Sequence, residues 1–160
     1  KLPDARALVI GRAGREHQKF LADLQTRIAA AGLTDRILFP GEIAATELPN
    51  LMRGLSLVMQ LPRYEGYGMV PIEGLASGVP FVGTPAGYYD EFSAQGKTGT
   101  IVPLGAADDA AAAALSILTV PNRHASMSKA ARETAVNSFS ALSEAVGIEN
   151  VYRDLWTREP

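Results

Sequence analysis

Hydrophobic residues in this chain alternate between short continuous runs and longer stretches in which they recur every three or four positions. The first run, Ala5–Ile10, is nearly all apolar, the pattern of a parallel strand covered on both faces. Further strand-length runs follow at Arg36–Phe39, Ser56–Leu61, Pro80–Thr84 and Gly99–Val102. Between the first two, Phe20, Leu21, Leu24, Ile28 and Ala31 are spaced for one face of a helix over Arg15–Ala31, which Gly32 stops. A short helix is predicted from Ala45 or Thr46 to about Arg53, another over Met69–Ser77, and a helical turn at Gly87–Phe92. After Asp108 the pattern is helical throughout: Asp108–Leu118, broken by Pro121, then Asn122–Asn137 and Ser140–Trp156. Strands alternating with helices imply an α/β domain, a Rossmann-like doubly wound parallel sheet. In such sheets ligands bind beyond the carboxyl ends of the strands, where Gly11, Gly41, the Glu65 loop and the Gly87 loop all fall.

The stretch from Arg63 to Gly83 organises the rest. Pro62 ends a strand, Gly66 and Gly68 permit a sharp turn, Pro71 suits the first turn of a helix, and Gly78 suits its C-terminal end. Free N–H groups at such a helix start favour an anion such as a phosphate. Glu65 precedes the loop and Glu73 lies on the helix. Carboxylates there would repel a bare phosphate but would accept hydrogen bonds from sugar hydroxyls. The implied ligand has hydroxyls at both ends and phosphate between them, the layout of a nucleotide-sugar.

Glu65-Gly-Tyr-Gly followed by Glu73-Gly-Leu-Ala-Ser-Gly-Val-Pro resembles the signature of family 4 retaining glycosyltransferases, with both glutamates at the E-x7-E spacing. Ala7–Gly11, Asp35–Gly41, Gly87–Glu91 and Gly96–Pro103 resemble further elements of that family in the same order. The resemblance implies the C-terminal, donor-binding half of a GT-B fold, lacking its first strand and the N-terminal acceptor domain. The chain starts at Lys1 without Met and is read as a fragment on that basis. The wording of the segment looks like bacterial lipopolysaccharide-core mannosyltransferases, which favours GDP-mannose as donor.

The resemblance also implies roles. Glu65 stands against the donor sugar as the catalytic-site carboxylate. Gly66, Tyr67, Gly68 and Met69 present backbone N–H groups to sugar and β-phosphate. Glu73 accepts both ribose hydroxyls, a bidentate task that suits a carboxylate. Ile43 meets the base through its main chain near Gly41, and Gly11 and Arg12 border the same cleft. The diphosphate-binding Arg and Lys of the family fall before residue 1. Tyr88 replaces the second glycine of a G-G-x-x-E element, which narrows the expected sugar pocket. No cofactor is expected and the activity is metal-independent, in keeping with the lack of a D-x-D motif. The expected partners are a nucleotide-sugar and, through the missing domain, a glycan or lipid-linked acceptor. The expected setting is the cytoplasm, with peripheral contact of the full-length protein at the inner face of the plasma membrane.

Composition removes other classes. With no cysteine there are no disulfides or thiolate sites, and a net charge of −2 gives no reason to expect nucleic acid. Gly11-x-x-Gly14 lacks the third glycine and the distal acidic residue of a dinucleotide fingerprint. Ser77 has no evident His and Asp partners, and His17 and His124 are read as surface residues. At 160 residues one domain is the prior. The terminal set Leu142, Val146, Ile148, Val151, Tyr152, Leu155 and Trp156 is expected to pack on a core or a neighbouring domain, with Trp156 as an anchor. The competing reading is a non-catalytic GT-B-like module that uses the cleft or the terminal helix for protein contact.

Overall fold

The computed structural model describes residues 2–157. Its contacts fall into two compact units, one up to Leu48 and one from Pro49, and each is described by itself.

In the first unit, β1 (Ala7–Ile10) pairs in parallel with β2 (Ile37–Gly41), with Ala7 opposite Ile37 and a register shift between Leu8 and Ile10. Between them lie a 3-10 turn at Arg15–His17 and α1 (Gln18–Ala30). Gly32, at φ +67°, closes the helix as expected, its N–H donating to the Ala29 carbonyl and that of Leu33 to Ile28. The Arg36 guanidinium ties the entry of β1 in place by donating to the carbonyls of Leu2 (2.6 Å) and Ala5 (3.0 Å). Two expectations are corrected here. β1 is a strand, but it is exposed along its whole length, because only β2 pairs with it and no described residue of this unit is buried. Phe20 lies off the half-buried stripe of Leu21, Leu24 and Ile28 and is 68% exposed.

In the second unit, β3 (Val58–Gln60), β4 (Phe81–Gly83) and β5 (Gly99–Ile101) form a parallel sheet in the order β3-β4-β5. The strands are in register: Val58 stands opposite Phe81, and Phe81 opposite Gly99. Parallel neighbours need crossovers, supplied by α3 (Met69–Ala76) and α4 (Tyr89–Phe92). α2 (Leu48–Arg53) leads in, and α5 (Ala107–Thr119), α6 (Arg123–Ser138) and α7 (Ala141–Thr157) follow. α3 and α5 both pack on α6, and α5 also on β4. The core joins Val82, Val102, Ala110, Ile117 and Met127, with Leu57 and Ala113 against it. Phe81 and Leu75 are wholly buried nearby. Asp108 and Asp109 occupy the first turn of α5, where the helix dipole favours them.

The terminal helix forms where the spacing predicts, but none of its described residues is buried. Trp156 is 92% exposed, so within this chain it anchors nothing. Its apolar set has no cover among the described residues of the unit.

Candidate functional site

The predicted site residues fall in both units. In the first, Gly11 ends β1 and Gly41 ends β2, and the Gly11 N–H donates to the Gly41 carbonyl at 2.9 Å. Arg12 and Glu42 follow these glycines and pair at 3.4 Å, both exposed to solvent. Ile43 is half-buried next along the chain. The structure thus gathers Gly11, Arg12 and Ile43 at the carboxyl edge of the β1–β2 sheet. Arg12 already has a carboxylate partner there, Glu42.

In the second unit the chain leaves β3 at Gln60, and Pro62 ends the strand's hydrogen bonding. The buried hydroxyl of Thr84, just past β4, donates to the Pro62 carbonyl at 2.6 Å and clamps the start of the loop. Glu65 is half-buried. Its Oε1 accepts from the Gly66 N–H at 3.0 Å, and its Oε2 accepts from Gln60 Nε2 at 3.4 Å. Tyr67 lays its ring against Tyr88 (centroids 5.2 Å) and edge-on to Phe92 (5.5 Å), so its side chain serves packing. Tyr88, at the position of the family's second glycine, also donates its N–H to the Tyr67 carbonyl at 3.2 Å.

Gly68 takes φ +110° and enters α3 with no side-chain cap. Only glycine reaches that conformation without strain. Any Cβ at this position would also run into the Tyr89 ring. The first turn of a helix leaves its N–H groups without intrahelical partners, and Gly68 cannot cap them. Met69 and Val70 are exposed at this start, Pro71 carries no N–H, and Glu73 stands half-buried one turn in. Past the far end, Gly78 at φ +75° donates to Leu75 and Val79 donates to Gly74, the paired bonds of a Schellman ending. Arg132 from α6 donates to the Ala76 carbonyl. The loop and helix are therefore fixed from behind while the amide-bearing end stays open.

Tyr89, wholly buried, lies beneath this loop. Its ring fills the space that side chains on Gly68 and Gly83 would need. Burial first, and the nearby Glu65 charge second, push its phenol up to about 12. Its hydroxyl and Gln60 Oε1 are buried without hydrogen-bond partners among the described residues.

Sequence reasoning missed Gln60, Thr84 and Tyr89. An amide ending an otherwise apolar strand was the available signal for Gln60. Nothing local marked the other two, because their roles depend on chain segments that meet only in the fold. His17 pairs with its exposed neighbour Glu16 at 3.2 Å. His124, read as a surface residue, is half-buried and bonds the Ser56 carbonyl at 2.8 Å. Among the described residues no group of three His, Asp or Glu is placed to hold a metal ion. Two open clefts of the second unit, about 530 and 630 Å³, are lined by residues other than Glu65 and Glu73; Lys97 borders both, and Arg123 the first.

Comparison with known proteins bears on the family and the fold. Residues 1–134 match the family described as "Glycosyl transferases group 1". The chain is 39% identical over 158 residues to the lipopolysaccharide core biosynthesis mannosyltransferase LpsB of Rhizobium meliloti, covering 96% of this chain and 44% of that protein. It is 41% identical over 96 residues to the lipopolysaccharide core biosynthesis mannosyltransferase LpcC of Rhizobium leguminosarum, covering 60% of this chain and 27% of that one. The chain thus spans less than half the length of these curated relatives. Among solved structures, Anabaena Alr3699/HepE in complex with UDP superposes with a TM-score of 0.83 at 25% identity, over 95% of this chain and 42% of that one. The C-terminal domain of the group 1 protein LpcC from Francisella tularensis superposes with a TM-score of 0.82 at 25% identity, over 88% and 73%. The expected Rossmann-like α/β class and the GT-B relationship are borne out, and the chain belongs to the group 1 glycosyl transferases.

Proposed function

We propose that this chain is the donor-binding part of a retaining hexosyltransferase, moving mannose from GDP-mannose to a glycan or glycolipid acceptor in lipopolysaccharide or related cell-envelope synthesis. The observation that carries this reading is the open, uncapped start of α3, entered through Gly68 three positions after Glu65. The likeness to LpsB over nearly the whole chain supports the choice of mannose.

In this reading Glu65 contacts the donor sugar near the reacting face. The N–H groups of Gly66, Tyr67, Gly68 and Met69 face sugar and β-phosphate. As the nucleoside diphosphate departs, negative charge develops on it, and the preorganised amide dipoles of Tyr67, Gly68 and Met69 offset that charge without reorganising. Gly66 donates to Glu65 here, so its N–H turns to the donor only if that bond is exchanged. Glu73 takes the ribose hydroxyls. No metal enters this scheme. The bare apolar face of α7 supports contact with the rest of the full-length protein. No helix among the described residues is long and apolar enough to cross a membrane. A cytoplasmic site at the inner face of the plasma membrane fits the proposed donor and acceptor.

The test is titration of GDP-mannose into the labelled chain. Amide shifts are expected over residues 65–73, and Glu73→Ala is expected to weaken binding about tenfold or more, as loss of a charged hydrogen bond to a ligand does. No shift there at millimolar nucleotide overturns the reading. A donor screen on the full-length protein, reading released nucleotide, tests the choice of GDP-mannose separately.

A further inference from the structure

Gln60 is the last residue of β3 and is half-buried. Its Nε2 donates to Glu65 Oε2 at 3.4 Å, long for a full-strength bond, while its Oε1 is buried and unpaired. Tyr89 approaches the same loop from α4, with its hydroxyl also buried and unpaired. Leucine at 60 and phenylalanine at 89 would fill the same space without leaving polar atoms orphaned, and orphaned buried polar atoms are costly. Gln60 borders the Glu65 carboxylate directly, and Tyr89, packed under Gly68 of the same loop, lies near enough for that charge to help raise its phenol. Glu65 is held on its other oxygen by Gly66, and its Cγ lies against Gly87, where a Cβ would come within 3.3 Å of it. Gly87 is at φ +55°. The Thr84–Pro62 bond fixes the chain between Gln60 and Glu65.

We propose that Gln60 and Tyr89 are positioning residues that aim the Glu65 carboxylate at the donor sugar. The proposal rests on the reading of Glu65 as the sugar contact. Both groups are neutral, the amide always and the phenol because burial keeps its proton on. They therefore orient the carboxylate without cancelling its charge, as a lysine or arginine in their place would. In the donor complex the Gln60 Nε2–H bond to the carboxylate shortens and the spare Tyr89 O–H donates to it, since bonds that are long in a free enzyme shorten in the complex.

The experiment is a mutant cycle on the full-length protein, reading nucleotide released from GDP-mannose. Gln60→Leu is expected to lower kcat about tenfold, and Tyr89→Phe severalfold, with donor KM changed less than about twofold, as misaimed catalytic groups do. In a Glu65→Gln background both effects are expected to vanish, because the group they aim is gone. Equal losses in both backgrounds, or unchanged kcat in both single variants, overturn the proposal. Unchanged turnover in Glu65→Gln alone overturns the reading of Glu65 and the positioning role with it. If Gln60→Leu fails to fold, Tyr89→Phe, which removes one oxygen from an unchanged ring, carries the test. If Glu65→Gln falls below detection, the cycle moves to the Glu65 carboxyl carbon resonance. Both single variants are expected to shift it, and no shift overturns the proposal.

Discussion

β1 and β4 are both apolar strands in parallel pairs, yet water reaches one and not the other. Leu8, Val9 and Ile10 are each about two-fifths exposed, whereas Phe81 and Val82 are wholly buried. β4 has a strand on each side and helices α3 and α5 against it, while β1 has only β2. Backbone conformation follows from the local run of residues, which is alike in the two. Burial follows from the number of elements that close over the strand, which is not. Apolar area removed from water contributes roughly 25 cal/mol per Å², so each β4 side chain gains more from burial than its β1 counterpart, and the fully buried core lies in the second unit.

The contrast can be broken most directly at Phe81. Its ring abuts Tyr89 edge-on at 5.9 Å and fills the space over Gly99. Phe81→Ala is expected to cost about 3–5 kcal/mol in urea denaturation of this chain. A loss under about 1 kcal/mol would show that β4 is not the buried strand its packing describes.

A smaller effect sharpens the contrast within the second unit. The Tyr89 phenol is raised to about 12, against about 10 in an unfolded chain. The folded state therefore holds the proton more tightly. That contribution is complete below pH 10 and is lost as pH rises towards 12. Denaturation midpoints across that window are expected to fall more steeply for the native sequence than for Tyr89→Phe. Parallel curves would remove burial and the Glu65 charge as the cause.

Smaller again, Leu8→Ala in β1 is expected to cost about 1 kcal/mol or less, and β1 amides to exchange hydrogen orders of magnitude faster than those of β4. Equal exchange would erase the contrast. Smallest of all, Trp156→Ala should change the stability of this chain by less than about 0.5 kcal/mol, the usual range for an exposed side chain. A larger loss would mean that α7 is covered in solution.

These differences mark what could be read in the residues alone. Every strand and helix was legible to within a few positions, because proline and glycine punctuate them: Pro62 after β3, Gly78 after α3, Gly32 after α1, Pro121 between α5 and α6. The site loop was legible for the same reason, since Gly66, Gly68 and two glutamates at fixed spacing report backbone geometry and chemistry together. Coverage was not legible. Ala5–Ile10 reads as a doubly covered strand, Phe20 as part of a buried stripe and Trp156 as an anchor, because hydrophobicity states what a side chain favours and not what meets it. Polar supports were equally hidden. Thr84 bonds Pro62 across 22 positions of sequence and Tyr89 feels the charge of Glu65 across 24, and no periodicity encodes such pairs.

The ring of Tyr89 also dictates the order in which substitutions can accumulate around it. Gly83 has an ordinary backbone conformation, so nothing but space forbids a side chain there; a methyl would stand 2.6 Å from Tyr89 Cδ2. Introduced first, Gly83→Ala collides with the ring. Introduced after Tyr89→Leu, the same methyl occupies room that has been vacated. A lineage or a laboratory selection that remodels this loop must therefore change position 89 before position 83, and once both have changed, restoring the tyrosine first is blocked.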